Sequence, residues 1–144
     1  MHRIEALPDD SLRTKAFVAL LRDAAGQEDQ ELHRLIADVL PVMATIGVLE
    51  DAEPVAFASY RAHGRANMLE YLAVRASHRG RGAGTALIRF IRAEDPGMPL
   101  IAETDDDAAG FYHRLGFTVE TAPPDPRWPG RLRYRCTLPP LSAA

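Results

Sequence analysis

The spacing of apolar and polar positions changes several times along the chain, and each change marks an element. Arg3-Ile4-Glu5-Ala6-Leu7 alternates polar and apolar residues, the two-residue repeat of a short strand. Pro8-Asp9-Asp10-Ser11 supplies a turn and a helix cap, and Leu12, Ala16, Phe17, Leu20 and Leu21 then share one helical face ending near Gly26. Leu32, Leu35, Ile36, Val39 and Leu40 repeat at helical spacing and predict a second helix. Residues 46–49 and 55–60 are apolar runs on either side of Glu50-Asp51-Ala52-Glu53-Pro54, which reads as a hairpin with a loop of moderate length. A turn at His63-Gly64-Arg65 leads into a strand from Met68 to Val74.

Downstream the pattern alternates between helix and strand. Leu87, Ile88 and Ile91 form the buried face of a helix that stops at Asp95-Pro96-Gly97. Residues 99–103 form a short strand, and strand, helix and strand together make a βαβ unit with parallel strands. Asp105-Asp106-Asp107 opens a further helix that ends at Gly116, where a left-handed cap is expected. Residues 117–120 and 132–138 are strands separated by the proline-stiffened loop 123–130, and the Pro-rich tail after Leu138 is expected to be loose. The order is β-α-α-β-β-β-α-β-α-β-β, an α/β (α+β) arrangement in a single domain over 1–144.

Composition narrows the function classes. The net charge of -3 gives no broad attraction to nucleic acid or to an anionic membrane surface. The longest apolar run, Val39 to Leu49, is broken by Pro41 and Gly47 and is too short to span a bilayer. The N-terminus has no apolar core of a signal peptide, so a cytoplasmic location is expected. Cys136 is the one cysteine, which excludes an intrachain disulfide and a multi-cysteine metal site. The aspartates at 105–107 fit the first turn of a helix better than a metal site, and no metal is expected. Positive charge is almost all arginine, and Arg75, Arg79, Arg81, Arg89 and Arg92 gather around one glycine-rich stretch.

That stretch follows the strand ending at Val74. Glycines at 80, 82 and 84 let the backbone approach a ligand closely, and the helix that follows presents amides without intrahelical partners. A phosphate or pyrophosphate is the expected guest. A nucleotide P-loop would need Lys-Ser/Thr after its second glycine, and a dinucleotide fingerprint would need glycine at Thr85 or Leu87. Both patterns fail.

Arg79-Gly80-Arg81-Gly82-Ala83-Gly84 instead resembles the Gln/Arg-x-x-Gly-x-Gly/Ala signature of the GNAT N-acetyltransferases, and Leu72-Ala73-Val74 resembles the strand before it in that family. Ala108-x-x-Phe111-Tyr112-x-x-Leu115-Gly116-Phe117 is similar to the family's second hallmark. The two motifs stand in the family's order. The resemblance implies a central mixed sheet, splayed between its fourth and fifth strands and flanked by helices, with acetyl-CoA as co-substrate and an amine as acceptor. It leaves room for a homodimer.

The resemblance also implies roles by position. Arg79, Gly80, Arg81, Gly82, Ala83, Gly84 and Thr85 would hold the pyrophosphate, and the backbone of Leu72, Ala73 and Val74 would pair with the pantetheine arm. An amide near Val74 would stabilise the oxyanion. Tyr112 would protonate the departing thiolate, whose ordinary acidity lies within a few units of a phenol's. Phe111 is read as a core residue beside the coenzyme. Asp106 stands where many relatives carry a coenzyme-contacting asparagine; a carboxylate cannot donate, and Asp106 could instead cap the helix.

The resemblance also makes Glu70 the candidate general base, four residues before Val74 where several relatives place a carboxylate, and on an ideal strand it shares a face with Leu72 and Val74. Its alternative is a salt-bridged surface glutamate. His78, beside the loop, reads as a phosphate-side contact and His113 as exposed. The first two helices resemble the family's acceptor-shaping lid, or simply cover one face of the sheet. Transfer by direct attack competes with a covalent route through Cys136, and catalysis as a whole competes with a silent acyl-CoA-binding sensor of the same fold.

Overall fold

The computed structural model describes residues 2–141. The chain divides into two compact units, one formed by residues 1–61 and 70–91 and the other by residues 62–69 and 92–144. Within the first unit, β1 (Ile4–Ala6), β2 (Ala44–Glu50) and β3 (Glu53–His63) pair antiparallel in that order. β4 (Ala66–Val74) follows, and the hydrogen-bonded strand order of the whole seven-stranded mixed sheet is β1-β2-β3-β4-β5-β7-β6. The expected element order is therefore observed.

Helices α1 (Lys15–Ala25) and α2 (Asp29–Arg34) bury their apolar faces with β3 and β4. Phe17, Leu21 and Phe57 are fully buried, and the Phe17 and Phe57 rings lie 4.7 Å apart. Each large side chain so buried contributes about 1.5–3 kcal/mol. Tyr71 and Ala73 of β4 point into the same cluster. The first two helices thus cover this sheet face, as one of the two sequence readings required.

Local differences from the sequence reading have local causes. The cap of α1 is Thr14, whose Oγ1 accepts from the Phe17 amide at 3.2 Å, because residues 9–13 first form a tight 3-10 turn. Gly26 closes the helix at φ 62°. The second helix is regular only to Arg34. It widens over Leu35–Val39 and tightens at Leu40–Val42, where Pro41 lacks an amide and cannot continue the ladder. The β2–β3 loop is shorter than expected. Glu50 pairs with Glu53 across a two-residue turn, Asp51 and Ala52, both with positive φ.

In the second unit, Asn67 to Leu69 of β4 pair in parallel with Leu100 to Ala102 of β5 (Leu100–Asp105). β5 pairs antiparallel with β7 (Arg133–Leu138), and β7 with β6 (Thr118–Ala122). Helix α3 (Ala83–Glu94) precedes β5, and α4 (Asp106–Arg114) follows it. The chain turns after α4 at Gly116, φ 97°, as the cap expectation required. Of the tail expected to be loose, Pro139 has its carbonyl held by Arg92 Nε and Nη2, while residues 142–144 lie outside the described residues. Among the described residues, no helix is long and apolar enough to cross a membrane.

Candidate functional site

β4 passes through a single tight turn, Ala76–His78, into the glycine loop and α3. Gly80 and Gly82 have φ of 78° and 82°, in the left-handed region that L-residues avoid. A β-carbon at Gly80 would meet nothing within 4 Å, and at Gly82 only His2 Cε1 at 3.7 Å. Glycine is required here by the backbone path, not by crowding. The first helical bond runs from the Ala86 amide to the Gly82 carbonyl at 2.9 Å. The amides of Ala83, Gly84 and Thr85 precede it and have no carbonyl within α3 to bond. Together with the dipole of a twelve-residue helix, they form an electropositive cradle.

The basic side chains around this cradle differ in what they touch. Arg79 Nε donates to the Val74 carbonyl at 3.1 Å, folding the guanidinium back over the strand end. Arg75 is drawn toward the β2–β3 turn, with Nη2 3.6 Å from Glu53 and 3.4 Å from the Pro54 carbonyl. His78 is not a free phosphate ligand. Its Nε2 lies 3.2 Å from each oxygen of Glu50 and its Nδ1 2.9 Å from Ser77 Oγ.

Burial alternates along the second half of β4. Tyr71 and Ala73 are buried, while Glu70, Leu72 and Val74 are partly exposed on the opposite face. The shared face expected for these three residues is present, and Ala73 can offer a ligand only its backbone. The Glu70 side chain is 17% exposed and lies 3.4 Å from Arg61 Nη2. A guanidinium therefore stands beside the carboxylate, as the salt-bridged alternative expected.

On α4, Asp105 is the cap: its Oδ1 accepts from the Asp107 and Ala108 amides at 3.1 and 3.2 Å. The suggestion that Asp106 caps this helix is therefore corrected. Asp106 is the first helical residue and exposed, and Arg131 Nη2 lies 3.5 Å from it and 3.0 Å from both Asp105 and Asp107. The three carboxylates thus share one guanidinium. The loop that carries Arg131 is further tied by Trp128, over which the guanidiniums of Arg127 and Arg133 each stack at 4.5 Å.

Phe111 differs from its expected place in the core, while Tyr112 lies there. Phe111 is half-buried, not core, whereas Tyr112 is only 7% exposed. The helix turns Tyr112 inward, where its ring meets Phe111 and Phe117 edge-on at 5.1 and 5.2 Å. Burial pushes the Tyr112 phenol well above its ordinary range, with smaller contributions from Cys136 and Asp105. Cys136 is itself fully buried, and burial raises its thiol pKa too, which disfavours the nucleophilic thiolate.

Residues 43–119, more than half of the chain, match the Acetyltransferase (GNAT) domain. The chain belongs to the GNAT acetyltransferases. Solved structures agree at the level of fold. The histone acetyltransferase HPA2 and related acetyltransferase from Corynebacterium glutamicum aligns with a TM-score of 0.74 and 19% identity, covering 97% of each chain. An aminoglycoside 6'-N-acetyltransferase complexed with coenzyme A gives 0.73 and 16%, covering 94% of this chain and 95% of that one. The ribosomal-protein-S18-alanine N-acetyltransferase from Escherichia coli gives 0.67 and 18%, covering 100% and 96%. No protein with a curated description matches significantly.

For this GNAT chain, sequence reasoning located the loop and the α4 aromatics but missed their partners. Arg61 opposite Glu70 had one signal, an opposite charge across the turn at residues 63–65. Glu50 and Arg131 had none. Each lies far in sequence from what it holds, His78 and the aspartates at 105–107 respectively.

Proposed function

We propose that this GNAT domain transfers the acetyl group of acetyl-CoA to a primary amine by direct attack in a ternary complex, in the cytoplasm. The observation that carries the reading is the glycine loop. Two left-handed glycines lead into orphan helix amides, inside the stretch that matches the family. That cradle fits a pyrophosphate, since it offers several N–H donors and no side chain blocks Gly80. When bound, the coenzyme supplies an activated acetyl thioester.

The chain's own groups then divide the remaining work. Residues 79–85 hold the diphosphate through backbone amides. Leu72, Ala73 and Val74 offer strand backbone to the pantetheine, and they lie beyond Asn67 to Leu69, the residues of β4 that pair with β5. An amide near Val74 donates to the thioester carbonyl oxygen. Phe111 contributes its exposed edge to the coenzyme arm, and Asp106 can only accept there. Tyr112 is the proposed acid. Burial keeps its phenol protonated, so a donor is present throughout the working range, although the same shift makes it a weaker acid. Glu70 is the proposed base, taking the ammonium proton directly or through water, with Arg61 fixing its rotamer. The buried, high-pKa thiol of Cys136 favours direct attack over a thioacyl enzyme.

The test is free-thiol release from acetyl-CoA across a panel of amines. Because the structural neighbours are named for an aminoglycoside, a ribosomal-protein alanine and a histone, the panel spans aminoglycosides, peptides and small amines. Thiol release with at least one amine is expected. A thermal shift with acetyl-CoA but no release for any amine would identify an acyl-CoA sensor instead.

A further inference from the structure

The β2–β3 turn carries an arrangement that acetyl transfer does not explain. Glu50 and Glu53 are directly opposed across the turn. Like charges so placed repel each other. The turn that sets them there is itself strained, because Ala52 holds φ 67° without glycine's freedom. Each carboxylate finds a partner in the segment between β4 and α3: the His78 imidazole for Glu50, at 3.2 Å, and the Arg75 guanidinium for Glu53, at 3.6 Å. Backbone contact reinforces the second pair, with the Arg75 amide donating to the Val55 carbonyl at 2.7 Å. The residue next after His78 is Arg79, where the glycine loop begins.

The chemistry of the His78 contact is directional. A carboxylate only accepts, so Nε2 carries the proton, and with a neutral ring the Ser77 hydroxyl donates to Nδ1. Both ring nitrogens are engaged and the side chain is 14% exposed, so the imidazole is fixed in orientation. Glu50, held below the ordinary carboxylate range chiefly by its hydrogen bond to His78, also feels Arg81 and Arg75. A loop with two left-handed glycines has many alternative backbone paths, and ordering each residue costs conformational entropy. A cradle ordered before its ligand arrives avoids that cost at binding.

We propose that the β2–β3 turn is a positioning device for the phosphate loop, in which Glu50 through His78, and Glu53 through Arg75, hold the loop's first residues in the shape that accepts an anionic coenzyme. The proposal rests on reading the loop as the pyrophosphate cradle. It assigns Glu50 a role opposite to that of simple charge. As a bare negative charge near phosphates, Glu50 would weaken binding, and its removal would tighten it. As a clamp, its removal weakens binding.

Glu50→Ala and Glu50→Gln separate these effects. Glutamine keeps an acceptor for His78 and drops the charge; alanine drops both. The expected result is an acetyl-CoA KM raised about fivefold in Glu50→Ala with kcat unchanged, and a KM within about twofold of wild type, or lower, in Glu50→Gln. Hydrogen–deuterium exchange of amides 76–85 in the ligand-free protein gives a readout independent of the coenzyme. Exchange there should be several-fold faster in Glu50→Ala and near wild type in Glu50→Gln. Unchanged exchange in Glu50→Ala, or an acetyl-CoA affinity equal to or tighter than wild type, overturns the proposal. If wild type itself fails to bind acetyl-CoA, the pyrophosphate reading of the loop fails, and the clamp's purpose with it. If wild type binds and Glu50→Ala is indistinguishable from it, only the clamp fails.

Discussion

Replacing Gly82 by alanine isolates what the backbone path of the glycine loop is worth. The residue sits at φ 82°, where an L-residue costs about 1–2 kcal/mol. The added methyl would lie 3.7 Å from His2 Cε1, an ordinary contact, so no steric penalty adds to the backbone one. The protein can respond in two ways. If the loop keeps its path, the strain appears as lost stability, reduced by the ~0.4–1 kcal/mol that alanine gains by restricting the unfolded chain. If the peptide rotates, stability is spared and the amides no longer converge, so the strain appears as weaker binding. A shift of about 1–2 kcal/mol corresponds to roughly five- to thirtyfold in an equilibrium constant. Urea unfolding and calorimetric titration with acetyl-CoA, on the same samples, should together account for about 1 kcal/mol. Gly97→Ala is the control, since Gly97 is outside the left-handed region and a β-carbon there meets nothing within 4 Å. Gly97→Ala should leave binding unchanged and stability equal or slightly higher. A Gly82→Ala protein with wild-type stability and wild-type affinity would refute the claim that this glycine's left-handed path shapes the cradle.

Three further substitutions test the same structure. Tyr112→Phe should lower kcat about tenfold or more while leaving acetyl-CoA affinity within about twofold, as expected of a proton donor; an unchanged rate removes it as the acid. Because the folded-state phenol is raised above its unfolded value, its contribution to stability is full below about pH 10 and is lost as pH climbs further, so alkaline unfolding should be blunted in Tyr112→Phe. Cys136→Ala should retain wild-type turnover per folded molecule, and a collapse of turnover together with a thioacyl adduct on wild-type Cys136 by mass spectrometry would revive the covalent route. Ala52→Gly exchanges a strained alanine for the Asp-Gly pair that two-residue hairpin turns prefer. Relief of ~1–2 kcal/mol, less ~0.5–1 for glycine's unfolded freedom, should raise the Tm by a few degrees; a lower Tm counts against strain at this turn.

What could be read from the sequence was whatever depended on near neighbours. The helical repeat through Leu20 and Leu21, the alternation in β4 and the glycines of the loop are local, and each reappears in the structure. The order of elements followed from them. Errors arose where local signals were ambiguous or the deciding group was distant. Three successive aspartates offer three candidate caps, and only the direction of the chain leaving β5 makes Asp105 the one that accepts. Phe111 and Tyr112 are adjacent on a helix, so a small rotation decides which is buried, and packing against Phe117 turned Tyr112 inward. The widened turn at Leu35–Val39 leads straight into the 3-10 turn that carries Pro41, and the helical repeat of the sequence does not show it. Glu70 was placed on its face correctly, yet its arginine partner lies beyond a turn.

The loop between β6 and β7 has an optical consequence. The chain contains a single tryptophan, Trp128, and it sits in that loop under two guanidiniums rather than in the core. Intrinsic emission excited at the indole band is therefore a reporter of one surface connection. When Arg127 and Arg133 leave the ring, the signal changes, whether or not the sheet beneath has melted. Far-ultraviolet dichroism, by contrast, follows the helices and strands. Two melting curves recorded on one sample would then trace different events, and their separation measures how far this loop loosens ahead of the fold.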